Sequence, residues 1–194
     1  MEKVTRIVAG SKKAALALPW LLAAVSALHG ELPKPTESQV QAAYLYNFGN
    51  FIQWPANTAL GSSVSFTICI LGEDPFGSSL NAAVADRAVG GRAVVAKHIM
   101  NAAEAPSCQI LFISSSEDTR LNKILQALNR AAVLTVSDMP AFSDQGGMVQ
   151  FILKGNRVRF EVDLAAARKA GLTLSSELLK LAARVKGNSA AGGQ

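Results

Sequence analysis

Few side chains in this sequence can do chemistry, and their spacing narrows what that chemistry is. Two cysteines, Cys69 and Cys108, and two histidines, His29 and His98, are all the Cys and His side chains among 194 residues, which leaves little room for a metal site. Each cysteine lies in an apolar run, Ile68-Cys69-Ile70-Leu71 and Cys108-Gln109-Ile110-Leu111, and no Cys-x-x-Cys motif is present to lower a thiol pKa. The pair reads as a structural disulfide, with redox sensing as the alternative. Its loop of about 40 residues is worth roughly 4 kcal/mol in the chain-entropy model. His98 has no Ser or Cys elbow to serve. Gly-x-Ser-x-Gly, His-Glu-x-x-His and Gly-x-x-x-x-Gly-Lys-Ser/Thr are all missing. Glu73-Asp74 would need a third carboxylate to act as an acid-base pair, so a solvated loop is the plainer reading. Gly77-Ser78-Ser79 fits a helix start better than an anion site. Gly146-Gly147 supplies flexible torsions ahead of a strand, and no helix follows to make a phosphate cradle. The sequence thus offers no catalytic residue, no metal site and no cofactor.

The elements that position these residues follow from pattern. Thr36-Glu37-Ser38-Gln39 has capping-box spacing and opens a helix. Val40, Tyr44, Phe48, Phe51 and Ile52 fall on one face of it, with Gln39, Gln41, Asn47 and Asn50 on the other. Trp54-Pro55 closes it. Val64–Leu71, Gly91–Lys97, Cys108–Ile113 and Ala132–Val136 read as strands, and the continuous apolar runs among them suit a parallel sheet covered on both faces. Leu80–Ala85 makes a short helix between the first two. A second helix starts at Ser116 and carries Leu121, Ile124, Leu125 and Leu128. Met148–Lys154 and Val158–Val162 flank Gly155-Asn156-Arg157 as an antiparallel hairpin. A last helix, capped by Ser175, carries Leu174, Leu178, Leu181, Ala182 and Val185. The fold class expected is α/β: a single-domain three-layer sandwich, mainly parallel sheet, with a C-terminal antiparallel hairpin and flanking helices.

The amino end reads as a cleavable signal peptide over residues 1–27. Lys12-Lys13 precede 14 uncharged residues, Ala14 to Ala27, too short to span a bilayer, and Val25-Ser26-Ala27 offers a cleavage site. Residues 28–37 form an extended segment, 38–186 the domain, and 187–194 a disordered tail. Of the net charge of +5, +3 lies in the first 27 residues, and no basic run follows Lys13. That argues against a nucleic-acid partner and for a protein soluble in the periplasm, where disulfides persist.

Taken in order, several strings resemble the YfiR-like family of small periplasmic proteins: Tyr44-Leu45-Tyr46-Asn47-Phe48 with Phe51-Ile52-Gln53-Trp54-Pro55; Ile68 through Gly77; Cys108 through Ser114; Leu134-Thr135-Val136-Ser137-Asp138; Phe142; Gly146-Gly147-Met148; Arg157 through Val162; and Ser175 through Ala182. The resemblance implies a non-enzymatic regulator that binds and represses the periplasmic sensor domain of an inner-membrane diguanylate cyclase, lowering cyclic di-GMP and biofilm formation. It also implies homodimerisation and an outer-membrane lipoprotein that relieves repression. Cys69 and Cys108 match the family's disulfide, and a second family pair, bracketing the Gly-Gly turn, is matched here by Ser143 and Gln150.

On this reading the partner-binding candidates are Phe51, Trp54 and Pro55, provided the aromatic end of the first helix is exposed rather than filling core. The alternatives are an envelope accessory protein or a periplasmic small-solute-binding protein. For the latter, the polar groups of a ligand cleft would be Arg159, Glu161, Ser175 and Ser176.

Overall fold

Alternation along one strand organises the molecule. In the computed structural model, which describes residues 34–56, 64–129 and 131–187, Phe66, Ile68 and Ile70 point into one apolar core while Cys69 and Leu71 point into another. A strand buried on both faces must be covered twice, and helices on either side do this.

The elements in chain order are α1 Glu37–Phe51, β1 Ile52–Gln53, β2 Ser65–Leu71, α2 Ser78–Val84, β3 Ala88–Val89, β4 Arg92–Ile99, β5 Ile110–Ile113, α3 Leu121–Ala127, β6 Leu134–Ser137, β7 Val149–Lys154, β8 Arg157–Asp163, α4 Leu164–Lys169, β9 Thr173–Leu174, α5 Ser176–Leu181 and β10 Arg184–Lys186. Short 3-10 turns cover Ala102–Ser107 and Ser115–Arg120. The sheet runs β10-β8-β7-β6-β5-β2-β4-β3. Within it β4, β2, β5, β6 and β7 are parallel, so the first long strand is central and the chain winds out to either side of it. The antiparallel parts are β3 on β4 and β8 on β7, with β10 running parallel to β8. β1 and β9 form a separate antiparallel pair of two residues each. The expected α/β class, single domain and mainly parallel sheet with its hairpin are all present.

Local chemistry explains the ends of these elements. Thr36 Oγ1 accepts from the Gln39 amide at 3.3 Å while Gln39 Oε1 accepts from the Thr36 amide at 2.9 Å, the capping box that starts α1. Gly155 and Asn156 both have φ +57°, which gives the β7–β8 hairpin a turn matched to the strands' twist.

Several expectations need correction. The buried face of α1 is Gln41, Ala42, Leu45, Phe48 and Gly49, with Val40, Tyr44 and Phe51 at its margin. Small residues set this rotation: a Cβ on Gly49 would lie 3.0 Å from both Phe66 and Val89, so the helix comes closest where it has least side chain. Gln41, expected in solvent, is buried with its Nε2 donating to Glu37 Oε1 at 3.0 Å. α1 ends at Phe51, and Ile52 is already extended, ahead of Trp54. Val64 is 93% exposed and outside β2. Ser114, not Ser116, caps the turn before α3. The last helix stops at Leu181, itself 55% exposed, and Val185 lies in β10 beside Val162. The leader, residues 28–33 and the tail beyond Gly187 lie outside the described residues.

Phe48 is the hub of the larger core, 1% exposed and 5.2 Å from the Phe160 ring and 6.0 Å from those of Tyr44 and Phe151. Phe48→Ala is expected to lower stability by about 3 to 5 kcal/mol, read from urea unfolding followed by far-UV circular dichroism.

Candidate functional site

Cys69 and Cys108 form a disulfide with a Cα–Cα distance of 5.9 Å. Both are fully buried in the smaller core, among Leu71, Leu111, Ile113 and Leu121. It fastens β2 to the residue that follows the 3-10 turn Ala102–Ser107, two positions before β5 begins. Neither sulfur-bearing residue is exposed to solvent.

The segment from Asp138 to Gly147 is held by side chains from the strands around it. Ser137 Oγ accepts from the Met139 amide at 3.0 Å and donates to the Ile113 carbonyl at 2.7 Å. Thr135 Oγ1 accepts from the Met148 amide, and Gln150 Oε1 from the Ser143 amide, both at 3.1 Å. Ser143 and Gln150, the positions where the family resemblance places a second disulfide, are therefore neighbours joined by a buried hydrogen bond. A Cβ on Gly147 would run into the Phe142 ring, so that position needs glycine for close approach. Outside, Lys186 Nζ donates to the Ser143 carbonyl at 2.6 Å and to Asp144 Oδ1 at 3.1 Å, with Asp163 Oδ2 at 3.3 Å. Burial pulls the Lys186 ammonium down, but these two carboxylates outweigh it and hold it above the ordinary lysine range. Burial pushes the Asp138 carboxyl above its ordinary value against a hydrogen bond from its own amide, and its Oδ1 has no partner.

The residues singled out from sequence fall in different places. Phe51, Trp54 and Pro55 are half-buried at the carboxyl end of α1. The Phe51 carbonyl accepts from the Ser175 amide at 2.9 Å, and the Trp54 indole meets Phe66 edge-on at 5.3 Å. Arg159, Glu161, Ser175 and Ser176 are not gathered into one cleft. Phe160 and Val162 turn toward α1, so Arg159 and Glu161 face the other side of the sheet, where Glu161 Oε2 accepts from Arg184 at 2.5 Å. Ser175 caps α5 on the α1 side, its Oγ accepting from the Leu178 amide at 3.2 Å. His98 Nε2 lies 3.2 Å from Asp74 Oδ2. Among the described residues no cluster of three His, Cys, Asp or Glu side chains could hold a metal.

A cavity of ≈ 430 Å³ opens at the amino ends of the parallel strands, walled by the end of α1, by Trp54, Pro55 and Phe66, and by Val89, Arg92 and Gln109. Gln109 falls within an apolar run and Arg92 within an expected strand, so neither stands out in the sequence. The only available signal was an amide interrupting a strand that is otherwise hydrophobic. Gln109 is fully buried, its Oε1 accepting from the Thr67 amide at 2.5 Å.

Residues 38–183 match the family model described as YfiR/HmsC-like. No curated protein matches the sequence significantly. Among solved structures, a conserved domain protein from Vibrio cholerae O1 biovar El Tor is similar with a TM-score of 0.51 and 11% identity over 78% of this chain. The ABC domain from Streptococcus pneumoniae in complex with L-Trp is similar with a TM-score of 0.49 and 13% identity over 76% of this chain. This chain spans 60% of each of those two, and at 11% identity the likeness to the first is one of fold alone.

Two measurements check this geometry. Reducing the enclosed disulfide is expected to lower unfolding free energy by about 4 kcal/mol, comparing urea curves with and without dithiothreitol. Asp138 has a raised folded pKa, so its contribution to stability is present below the unfolded value of 3.8 and is lost as pH rises through the folded value. Asp138→Asn is therefore expected to melt higher than the parent at pH 7, with the difference shrinking as pH falls toward 4.

Proposed function

Since the chain belongs to the YfiR/HmsC-like family, we propose that it is a periplasmic, non-enzymatic regulator that binds and represses the sensor domain of an inner-membrane diguanylate cyclase. The observation that carries this reading is the extent of the family match, which runs from the second residue of α1 to two residues past α5. Two further observations support it. Among the described residues no three His, Cys, Asp or Glu side chains cluster to hold a metal, in keeping with a reading as a binding protein. No helix among the described residues is long and apolar enough to cross a membrane, in keeping with a partner that supplies the membrane anchor.

In this reading a leader at residues 1–27 delivers the chain to the periplasm. Repression works through contact: the half-buried aromatic edge of Phe51, Trp54 and Pro55 docks on the cyclase sensor, and a lipoprotein of the outer membrane relieves repression by taking the chain away. Aromatic side chains with one face packed and one face open lose little rotamer freedom on binding, which suits them to such an edge. A second copy of the chain is the other partner this reading includes.

Deleting the gene is expected to raise cellular cyclic di-GMP and biofilm mass, and a tagged copy is expected to co-purify a membrane diguanylate cyclase. An unchanged cyclic di-GMP level with no cyclase captured would overturn the proposal.

A further inference from the structure

We infer that the tip of the β7–β8 hairpin rests on an anionic lipid surface. Leu153 pairs with Val158 and Lys154 with Arg157, and the Gly155-Asn156 turn that joins them is exposed. A Cβ built on Gly155 would meet nothing within 4 Å, so the tip stands clear of the body. Phe151 and Phe160, also a pair, point into the larger core. Side chains alternate along a strand, so Leu153 shares their face, whereas Ile152, Lys154, Arg157 and Arg159 share the opposite one. Three cations thus lie on one face with a half-buried isoleucine, and Leu153 is 61% exposed on the other.

This charge has no internal counterweight. No acidic residue lies between positions 149 and 160. Lys154 and Arg157 are directly opposite each other, and like charges so placed cost stability in an antiparallel pair. Glu161, the next acid along β8, accepts from Arg184 at 2.5 Å. Among the described residues none of the three cations is in an ion pair. An anion supplied from outside would relieve the repulsion.

Charge alone would suit any polyanion, and Leu153 selects among them. A nucleic-acid phosphate backbone or an acidic protein loop gives a leucine no apolar layer to enter. At the headgroup boundary of a bilayer the phosphates meet the cations and the acyl chains take the leucine. The stems of Lys and Arg can lie along that apolar layer with their charges outside it. A convex two-residue turn also needs a surface that yields around it, which a bilayer does and a close-packed protein face does not. The hairpin tip lies on different elements from the aromatic edge of Phe51, Trp54 and Pro55. Lipid without any cyclase tests it, so its failure would leave the proposed function standing.

The test titrates the full ¹⁵N-labelled chain with bicelles of phosphatidylcholine, with and without an equal share of phosphatidylglycerol, a few headgroups carrying a nitroxide. Anionic bicelles are expected to broaden the amide signals of residues 153–157 saturably and ahead of those of the rest of the domain, and neutral ones to leave them sharp. Each cation at an anionic surface is worth about fivefold in affinity, so Lys154→Gln, Arg157→Gln and Arg159→Gln combined are expected to weaken binding roughly a hundredfold. Leu153→Asn should weaken it with the charge untouched. Lys123→Gln, Arg168→Gln and Lys169→Gln combined remove the same charge from exposed positions on α3 and α4, and should leave it nearly unchanged, because salt screens charges away from the contact. No broadening at the hairpin, equal broadening by neutral bicelles, or an equal loss in the two triple variants would each overturn the inference.

Discussion

The requirement that β2 be covered on both faces governs the rest of the structure. Its two faces are not covered alike. Phe66, Ile68 and Ile70 belong to a core that also takes in Phe48 of α1, Leu80 of α2, Leu164 of α4 and Leu178 of α5. Cys69 and Leu71 share a smaller core with side chains of α3, of the 3-10 turn Ala102–Ser107 and of the 138–147 segment, among them Leu121, Ile124, Ala105, Met139 and Phe142. The disulfide sits in that smaller core. A cross-link that removes unfolded-state entropy is most useful where apolar burial supplies least, and roughly 4 kcal/mol is a large share of a usual stability of about 5 to 15 kcal/mol.

The same side carries the buried polar groups. Thr135, Ser137, Ser143 and Gln150 are nearly inaccessible, and three of the four are oriented by backbone amides of the 138–148 segment. Where the family resemblance places a second sulfur bridge, this chain uses the Ser143–Gln150 hydrogen bond, backed by the Lys186 ammonium and its carboxylates. A hold of this kind is directional and insensitive to thiol chemistry, so oxidation state at the Gly146-Gly147 turn has no means of acting here. The hold is weaker than a covalent one, and close packing of Phe142 over Gly147 makes up part of the difference.

Much of this was legible in the sequence where a local pattern has one physical solution. The Thr36–Gln39 capping box, the Gly155-Asn156 turn, the two-sided apolar strands and the paired cysteines all have that character. What could not be read depends on partners distant in sequence. The rotation of α1 is set by how closely Gly49 approaches Phe66 and Val89, which periodicity weighs as nothing because glycine has no side chain. Val185 fits a helical stripe, but the edge of β8 was unpaired, and a short strand that satisfies it wins. β1 and β9 have two residues each and no pattern of their own. Gln109 lies in an apolar run, and only its meeting with the Thr67 amide in space gives its buried side chain a partner.

The proposed function is one of contact with a membrane cyclase. Its most direct test is reconstitution: the purified, disulfide-bonded chain is added to a membrane diguanylate cyclase in proteoliposomes, on the side of its sensor domain, and the rate of cyclic di-GMP synthesis from GTP is followed. A saturable fall in rate as the chain is added is the result predicted. A rate that does not change at any concentration of chain, across the cyclases whose sensor domains share its compartment, would contradict it.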